Sequence, residues 1–321
     1  MLYNQRPLVM RFALSASPAA GLVITAAAAT DDDFVWRGPG GSFIGKAPAL
    51  GNFTVGAYYL RSRQWSAITV LNWNTKKLTG NLASMINPVS SRLTGLRYLY
   101  LYINQLSGLF SDVTLPTGLT YLHLYNNQLA GLLSDATLPT GLTYLHLAIN
   151  QLAGLLSDVT FPSGLTYLNL AVNQLVGLLS DVTFPSGLTF LNLHDNQLSG
   201  LLSDVTLPTG LTQLNLGANQ LSGSFGDVTI PVNLATTYVY NNQLTYPSAG
   251  KCLSTVTKNS ARWYMQSNGM VQGHVDNVLA DLVTSGTTGG TLNIAGSNAA
   301  PSAAGLANKT TLEGRGWTVT V

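Results

Sequence analysis

A single cysteine, Cys252, stands among 321 residues, so no intrachain disulfide can form and the ends of the fold must close by packing alone. Charge is scarce too: 9% of the residues are Asp, Glu, Lys or Arg, against roughly 25% in an average soluble protein. Freely diffusing proteins keep mixed charge on the surface for solubility. A surface of Gly, Ser, Thr, Asn and Tyr instead suits a subunit packed in an assembly, or one facing the extracellular space. Between Arg97 and Lys251 there is neither Lys nor Arg, while seven Asp fall in that stretch. Phosphate binding needs clustered cations, so this stretch excludes a nucleic-acid groove. The two ends together hold all 15 basic residues and the other six of the 13 acidic ones, with no basic run, and read as docking surfaces.

Long apolar runs are missing as well, and none is sufficient to cross a bilayer, so no membrane insertion is expected. Arg6 and Arg11 precede a mildly apolar stretch that ends at Ala27-Ala28-Ala29-Thr30, a superficial likeness to a secretory leader. Pro18, Gly21 and several serines interrupt it, and the expectation is that no leader is removed. Catalytic signatures are equally absent. There is no glycine-rich phosphate loop, no Gly-x-Ser-x-Gly elbow and no carboxylate pair set in an irregular pocket. The four histidines are sparse, and His123 with His146 make a poor metal site without a third ligand on the same face. The reading is a chain without catalytic residues or a cofactor.

What the sequence does contain is repetition. Leu96, Leu119, Leu142, Leu165, Leu188, Leu211 and Leu234 recur every 23 residues. Within a unit the pattern is Leu119-x-x-Leu122-x-Leu124-x-x-Asn127-x-Leu129-x-Gly131. Leu-x-Leu alternates with period two, which predicts a short strand with one buried face. One such strand cannot hide its leucines, so the units must stack and share a continuous core. Asn104, Asn127, Asn150, Asn173, Asn196, Asn219 and Asn242 follow at the corner, where an amide can satisfy backbone groups of neighbouring turns. The return segment, Ser111 to Gly118 and its copies, places Pro116 and Gly118 to feed the next strand through a type I turn. It has no helical period, which predicts an extended or 3₁₀ convex side.

The predicted fold is therefore a repeat solenoid with a parallel β-sheet on its concave face. It has three parts: an N-terminal β region over 1–66, the solenoid over 67–250 and an α/β C-terminal cap over 251–321. Short strands are expected at Val9–Ser15, Gly21–Ala27, Asp33–Arg37 and Asn52–Tyr59. Ile68-x-x-Leu71-x-Trp73 reads as a degenerate first rung, with Lys76 in the asparagine place. Thr237 in a leucine place marks the last rung. In the cap, Val275, Val278, Leu279, Leu282 and Val283 make the stripe of an amphipathic helix ended by Gly286. A strand at Thr291–Ile294 follows, then a helix from Ser302 to Arg315 and a final strand at Trp317–Val321.

The unit Leu-x-x-Leu-x-Leu-x-x-Asn-x-Leu-x-Gly resembles leucine-rich repeats of the bacterial and plant-like type. With the ending Leu312-Glu313-Gly314-Arg315-Gly316-Trp317-Thr318-Val319, the chain is similar to repeat proteins encoded by bacteria and their phages. That resemblance implies attachment to surfaces, as in tail fibres and receptor-binding appendages. Leu-Ser-Asp replaces the Ile-Pro of the plant-type unit, which counts against a plant-receptor reading. The implied role is a virion structural or appendage protein, whose partners are other virion subunits or a host-surface glycan or protein. The alternative is an adhesin on a bacterial cell surface.

Two sets of stacked positions carry candidate chemistry, one aromatic and one acidic. Tyr98, Tyr121, Tyr144, Tyr167 and Phe190 occupy one outward strand position in successive rungs. Tyr100, His123 and His146 run beside them, Tyr102 and Tyr125 open a third column, and the aromatic surface as a whole fades toward Gly217. Stacked tyrosines offer rigid amphipathic area to a sugar or to a protein; alternatively they only brace neighbouring strands. The acidic set is the column Asp112, Asp135, Asp158, Asp181, Asp204 and Asp227. Calcium could relieve the repulsion along it, but capping of a local turn by backbone N–H bonds is the preferred reading.

Overall fold

Each repeat turns its period-two signal into a three-residue strand. In Tyr121–His123 the central Leu122 is fully buried and its two neighbours lie half-buried on the outer face. Burying such a leucine is worth about 1.5–3 kcal/mol. The computed structural model describes residues 9–14, 23–25, 34–38, 41–44, 56–62, 68–73 and 78–321. They form two compact units, residues 1–153 with 160–165, and residues 154–159 with 166–321.

In the first unit one sheet starts with Val23–Thr25 antiparallel to Val70–Asn72, the degenerate first rung. It continues parallel through Tyr98–Tyr100, Tyr121–His123 and Tyr144–His146, in register at every rung. A second sheet begins with antiparallel strands ordered Gly41–Ile44, Phe34–Gly38, Gly56–Ser62 and Val9–Leu14. Leu78–Asn81 joins Val9–Leu14, and the parallel strands Gln105–Leu109, Gln128–Leu132 and the start of Gln151–Leu155 follow. Four N-terminal strands lie close to their expected positions. Gly41–Ile44 is an addition, paired with Phe34–Gly38 so that Gly38 opposes Gly41; the turn residues 39–40 lie outside the described residues, as does Lys76. A short helix, α1 (Leu82–Ile86), is capped by the Asn81 side chain.

The second parallel sheet gives the extended return path its form. Gln-Leu-x-Gly-Leu does not alternate cleanly because its glycine is turned into a conformation few side chains adopt, with φ +101° at Gly108 and +94° at Gly131. A 3₁₀ turn follows each strand, Phe110–Asp112 and Leu133–Asp135 in this unit.

In the second unit the first sheet is parallel throughout: Tyr167–Asn169, Phe190–Asn192, Gln213–Asn215, Thr236–Tyr238, Arg262–Tyr264, Thr291–Asn293 and Thr318–Thr320. Gln174–Leu178, Gln197–Leu201, Gln220–Ser224 and Gln243–Thr245 make the second sheet. Helices α2 (Gln272–Thr284) and α3 (Ala303–Gly314) then take over the return path, α3 capped by Ser302. The tail thus adds three strands to the same sheet. Arg262–Tyr264, which the sequence pattern did not reveal, carries Trp263 and Met265 in the leucine places, both buried.

The corner asparagines act as backbone substitutes. Asn196 Oδ1 accepts from Leu175 N at 3.0 Å, and its Nδ2 donates to Leu193 O of its own rung and Leu170 O of the rung before, both at 3.1 Å. Asn127 and Asn242 repeat the arrangement, and Asn268 extends it into the tail. The residue before each asparagine is left-handed, including β-branched Ile103, Ile149 and Val172 at φ +53° to +54°. That conformation costs roughly 1–2 kcal/mol per residue and persists because the asparagine bonds over-determine the corner.

A different device ties α2 to the loop before it. Asp281, 1% exposed, accepts from Tyr246 Oη at 2.7 Å, Gly250 N at 2.6 Å and Lys251 N at 2.8 Å. Tyr246 Oη in turn accepts from Leu253 N at 3.2 Å. Burial holds the Tyr246 hydroxyl well above the usual phenol range.

Candidate functional site: the aromatic face

In-register pairing places equivalent outward side chains at the strand spacing of about 4.8 Å, and in the first unit these are rings. Tyr121 and Tyr144 stack with centroids 3.8 Å apart and planes 8° apart. His123 stacks on His146 at 4.4 Å and 15°, and Tyr102 on His123 at 4.3 Å and 27°. Tyr100 leans on Tyr121 at 4.9 Å, Tyr98 on Tyr121 at 6.0 Å, and Tyr125 on His146 at 5.1 Å. Eight of the expected site residues therefore form one cluster: Tyr98, Tyr100, Tyr102, Tyr121, His123, Tyr125, Tyr144 and His146. The other two, Tyr167 and Phe190, stack as a pair at 4.2 Å and 6° in the second unit.

Stacking decides what the face can offer. Where two rings lie face to face at van der Waals distance, those faces are spent on each other, and the ring edges are left outward. An edge is the positive side of the ring quadrupole, so the surface favours carbonyl oxygens and polar groups over a pyranose laid flat.

Burial dominates the titration of His123 and His146. It lowers His123 to about 4, and lowers His146, with a further push from His123, to about 3. Both rings are neutral at pH 7. In an unfolded chain histidine titrates near 6.5, so between roughly pH 6.5 and 3 the unfolded state binds more protons and stability rises with pH. The contribution is fully present above pH 6.5 and is lost as pH falls toward 3. Thermal midpoints are expected to drop between pH 7 and pH 4, and to drop less in His123→Phe/His146→Phe, which keeps the stack without the titration. An equal drop in both proteins would assign the pH dependence elsewhere.

In the second unit the position beside Tyr167 and Phe190 is held by Asn169, Asn192 and Asn215, whose Oδ1 atoms accept from Ala171 N, His194 N and Gly217 N at 3.1 Å each. These amides close their own turns. The expected fading of aromatics toward Gly217 is corrected beyond that residue. Tyr238 stacks on Tyr264 at 4.5 Å and 9°, and Tyr240 sits edge-on to Tyr238 at 6.3 Å with its hydroxyl 3.3 Å from His194 Nδ1. Gly217 makes room for this: a Cβ there would stand 2.8 Å from the Tyr240 ring. The signal missed in the sequence was Trp263-x-Met265-x-x-Asn268, the repeat spacing with other apolar residues in the leucine places.

The aspartate column is not the turn cap expected of it. Asp135, Asp158, Asp181 and Asp204 accept from the hydroxyl of the preceding serine at 3.1–3.4 Å. The 3₁₀ turns close through backbone bonds instead, as from Val182 N to Leu179 O. Asp227 pairs with Lys251 at 2.9 Å, which holds its carboxyl below the usual range. Among the described residues no group of three His, Cys, Asp or Glu gathers to hold a metal ion.

No protein-family profile matches the chain, and no curated protein matches it. Solved structures do. The plant peptide hormone receptor RGFR1 in complex with RGF2 superposes with a TM-score of 0.57 at 22% identity, over 79% of this chain and 44% of the receptor. The Arabidopsis receptor kinase HAESA, in complex with the peptide hormone IDA and the co-receptor SERK1, gives 0.51 at 20% identity, over 73% and 39%. The chain spans less than half the length of either structure. At these identities the likeness speaks for architecture, and the architecture it establishes is the leucine-rich-repeat solenoid.

Proposed function

We propose that this is a non-enzymatic binding protein that holds an extended polypeptide partner on the aromatic face of its first unit. The observation that carries this reading is the face-to-face stack of Tyr121 on Tyr144, continued by His123 on His146, which turns ring edges outward. His123 Nε2 adds a buried polar atom without a hydrogen-bond partner on that face, a feature native proteins seldom leave unexplained. The two receptors above are, by name, seen with peptide hormones, and their shared fold is compatible with such a use. The setting we infer is a virion or surface appendage of phage type, motivated by the low charge and the repeat resemblance. Partners there are neighbouring virion subunits or a host-surface protein.

Immunogold electron microscopy on the native source tests the setting. Label on phage particles supports it, and label confined to a cell envelope replaces it with an adhesin. The face itself is tested with Tyr121→Ala/Tyr144→Ala. Loss of two central aromatic anchors is expected to weaken attachment by at least about tenfold while circular dichroism and the thermal transition persist. Undiminished attachment would make the ladder a brace between strands.

A further inference from the structure

In the second unit three leucines on the second sheet are left standing in solvent. Leu155, Leu178 and Leu201, each closing its strand, are 46%, 48% and 48% exposed. They form a single seated column, since a Cβ on Gly177, Gly200 or Gly223 would lie 3.0–3.3 Å from the leucine Cδ2 of the rung before. Three residues beyond each leucine comes an exposed aspartate: Asp158, Asp181 and Asp204. Each accepts a hydrogen bond from its neighbouring serine at 3.1–3.2 Å, and the sequence has no Lys or Arg between Arg97 and Lys251 to meet their charge. The result is an apolar ridge bordered by a line of like negative charges at rung spacing.

The fourth rung breaks the pattern and shows what fits it. Ser224 replaces the leucine and Gly226 the serine, and the chain's own Lys251 comes down on the rung. Its Nζ reaches Asp227 at 2.9 Å, and its Cβ and Cγ lie 3.0 and 3.1 Å from where a Cβ on Gly226 would stand. Cys252 Sγ beside it donates to Phe225 O at 3.2 Å. The end of the column is thus covered by a basic segment that lays an aliphatic stem on the rung and an ammonium on the carboxylate.

We propose that Leu155, Leu178 and Leu201, with Asp158, Asp181 and Asp204, form a docking surface for a basic, apolar polypeptide segment of a partner protein. That segment continues over three rungs the contact Lys251 makes on the fourth. An acidic partner meets three carboxylates of its own sign, and a neutral apolar one desolvates them without a counter-charge. A second copy docked symmetrically sets the two aspartate lines against each other. This surface shares no residue with the aromatic face of the first unit, and either assignment can fail alone.

The test is fluorescence anisotropy on the full chain, with a labelled peptide of alternating Leu and Lys as probe and its Leu/Glu counterpart as control. The Leu/Lys peptide is expected to bind and the Leu/Glu peptide not to bind. Leu155→Ser/Leu178→Ser/Leu201→Ser, which copies the serine found at Ser224 and leaves charge unchanged, is expected to weaken binding at least about tenfold. Asp158→Asn/Asp181→Asn/Asp204→Asn, exposed and isosteric, gives a second variant with the fold preserved and a comparable loss. Equal binding by the leucine variant would reduce the effect to unspecific charge attraction and overturn the proposal, as would equal binding of the Leu/Glu peptide. Sedimentation that finds a wild-type dimer made monomeric by the serine substitutions would assign the ridge to a second copy and likewise overturn it.

Discussion

Asp281→Ala is expected to lower the unfolding free energy by about 4 kcal/mol, the summed effect of three buried donors losing one acceptor. The carboxylate is buried in α2, where three donors stabilise it, the Tyr246 hydroxyl and the backbone N–H groups of Gly250 and Lys251. Alanine leaves all three facing a cavity, and each unsatisfied donor costs about 1–3 kcal/mol. It also releases the loop that delivers Lys251 to Asp227. Tyr246→Phe removes only one of the three donors, together with the acceptor of Leu253 N, so it should cost less, about 1–2 kcal/mol. Urea denaturation followed by tryptophan fluorescence measures both. A loss below about 1 kcal/mol for Asp281→Ala would mean that water replaces the carboxylate and the latch is not structural.

Asn196→Ala is the second large loss, expected at about 2 kcal/mol: Leu175 N is left without its acceptor, while Leu193 O and Leu170 O each lose one of two amide donors and keep Asn219 and Asn173. The side chain is 8% exposed, and its bonds to Leu175, Leu193 and Leu170 join two consecutive rungs. Asn196→Asp is not expected to rescue it, because a carboxylate can accept from Leu175 N but only repels the two carbonyls. The neighbouring Asp195→Asn supplies the control. Asp195 shares its left-handed conformation with Asn126 and Asn241 in other rungs, and the change should stay within about 0.5 kcal/mol. Thermal midpoints of the three variants separate a corner held by one amide from a corner tolerant of any polar residue.

Much of this architecture was legible because a repeat states its rule many times. Leu119, Leu122 and Leu124 announce a buried face and Asn127 the corner, and the geometry of Asn127 is the one its donor and acceptor chemistry required. Non-repeating contacts were not legible. Asp281 lies beside the apolar stripe of α2 and looks solvent-facing, while its partner Tyr246 is 35 residues away. Arg262–Tyr264 was hidden because Trp263 and Met265 fill the core in place of leucine, and with it went the Tyr238–Tyr264 stack. The aromatic cluster itself was readable from outward positions alone. Its face-to-face stacking of Tyr121 on Tyr144 and His123 on His146 needed the side-chain torsions that no spacing conveys.

The register of these strands also bears on how such a chain can change. Tyr121 lies directly opposite Tyr144, and Thr143 reaches Thr120 across 23 residues of sequence, so one repeat of coding sequence corresponds to one rung. Among the described residues the backbone ladder of each rung runs to the rungs on either side of it. Unequal recombination between near-identical repeats therefore adds or deletes whole rungs without a frameshift in the packing. Every such event lengthens or shortens the ring column by about 4.8 Å. The length of the ring column is then set by copy number, a quantity that recombination changes in whole steps where point substitution changes one side chain at a time.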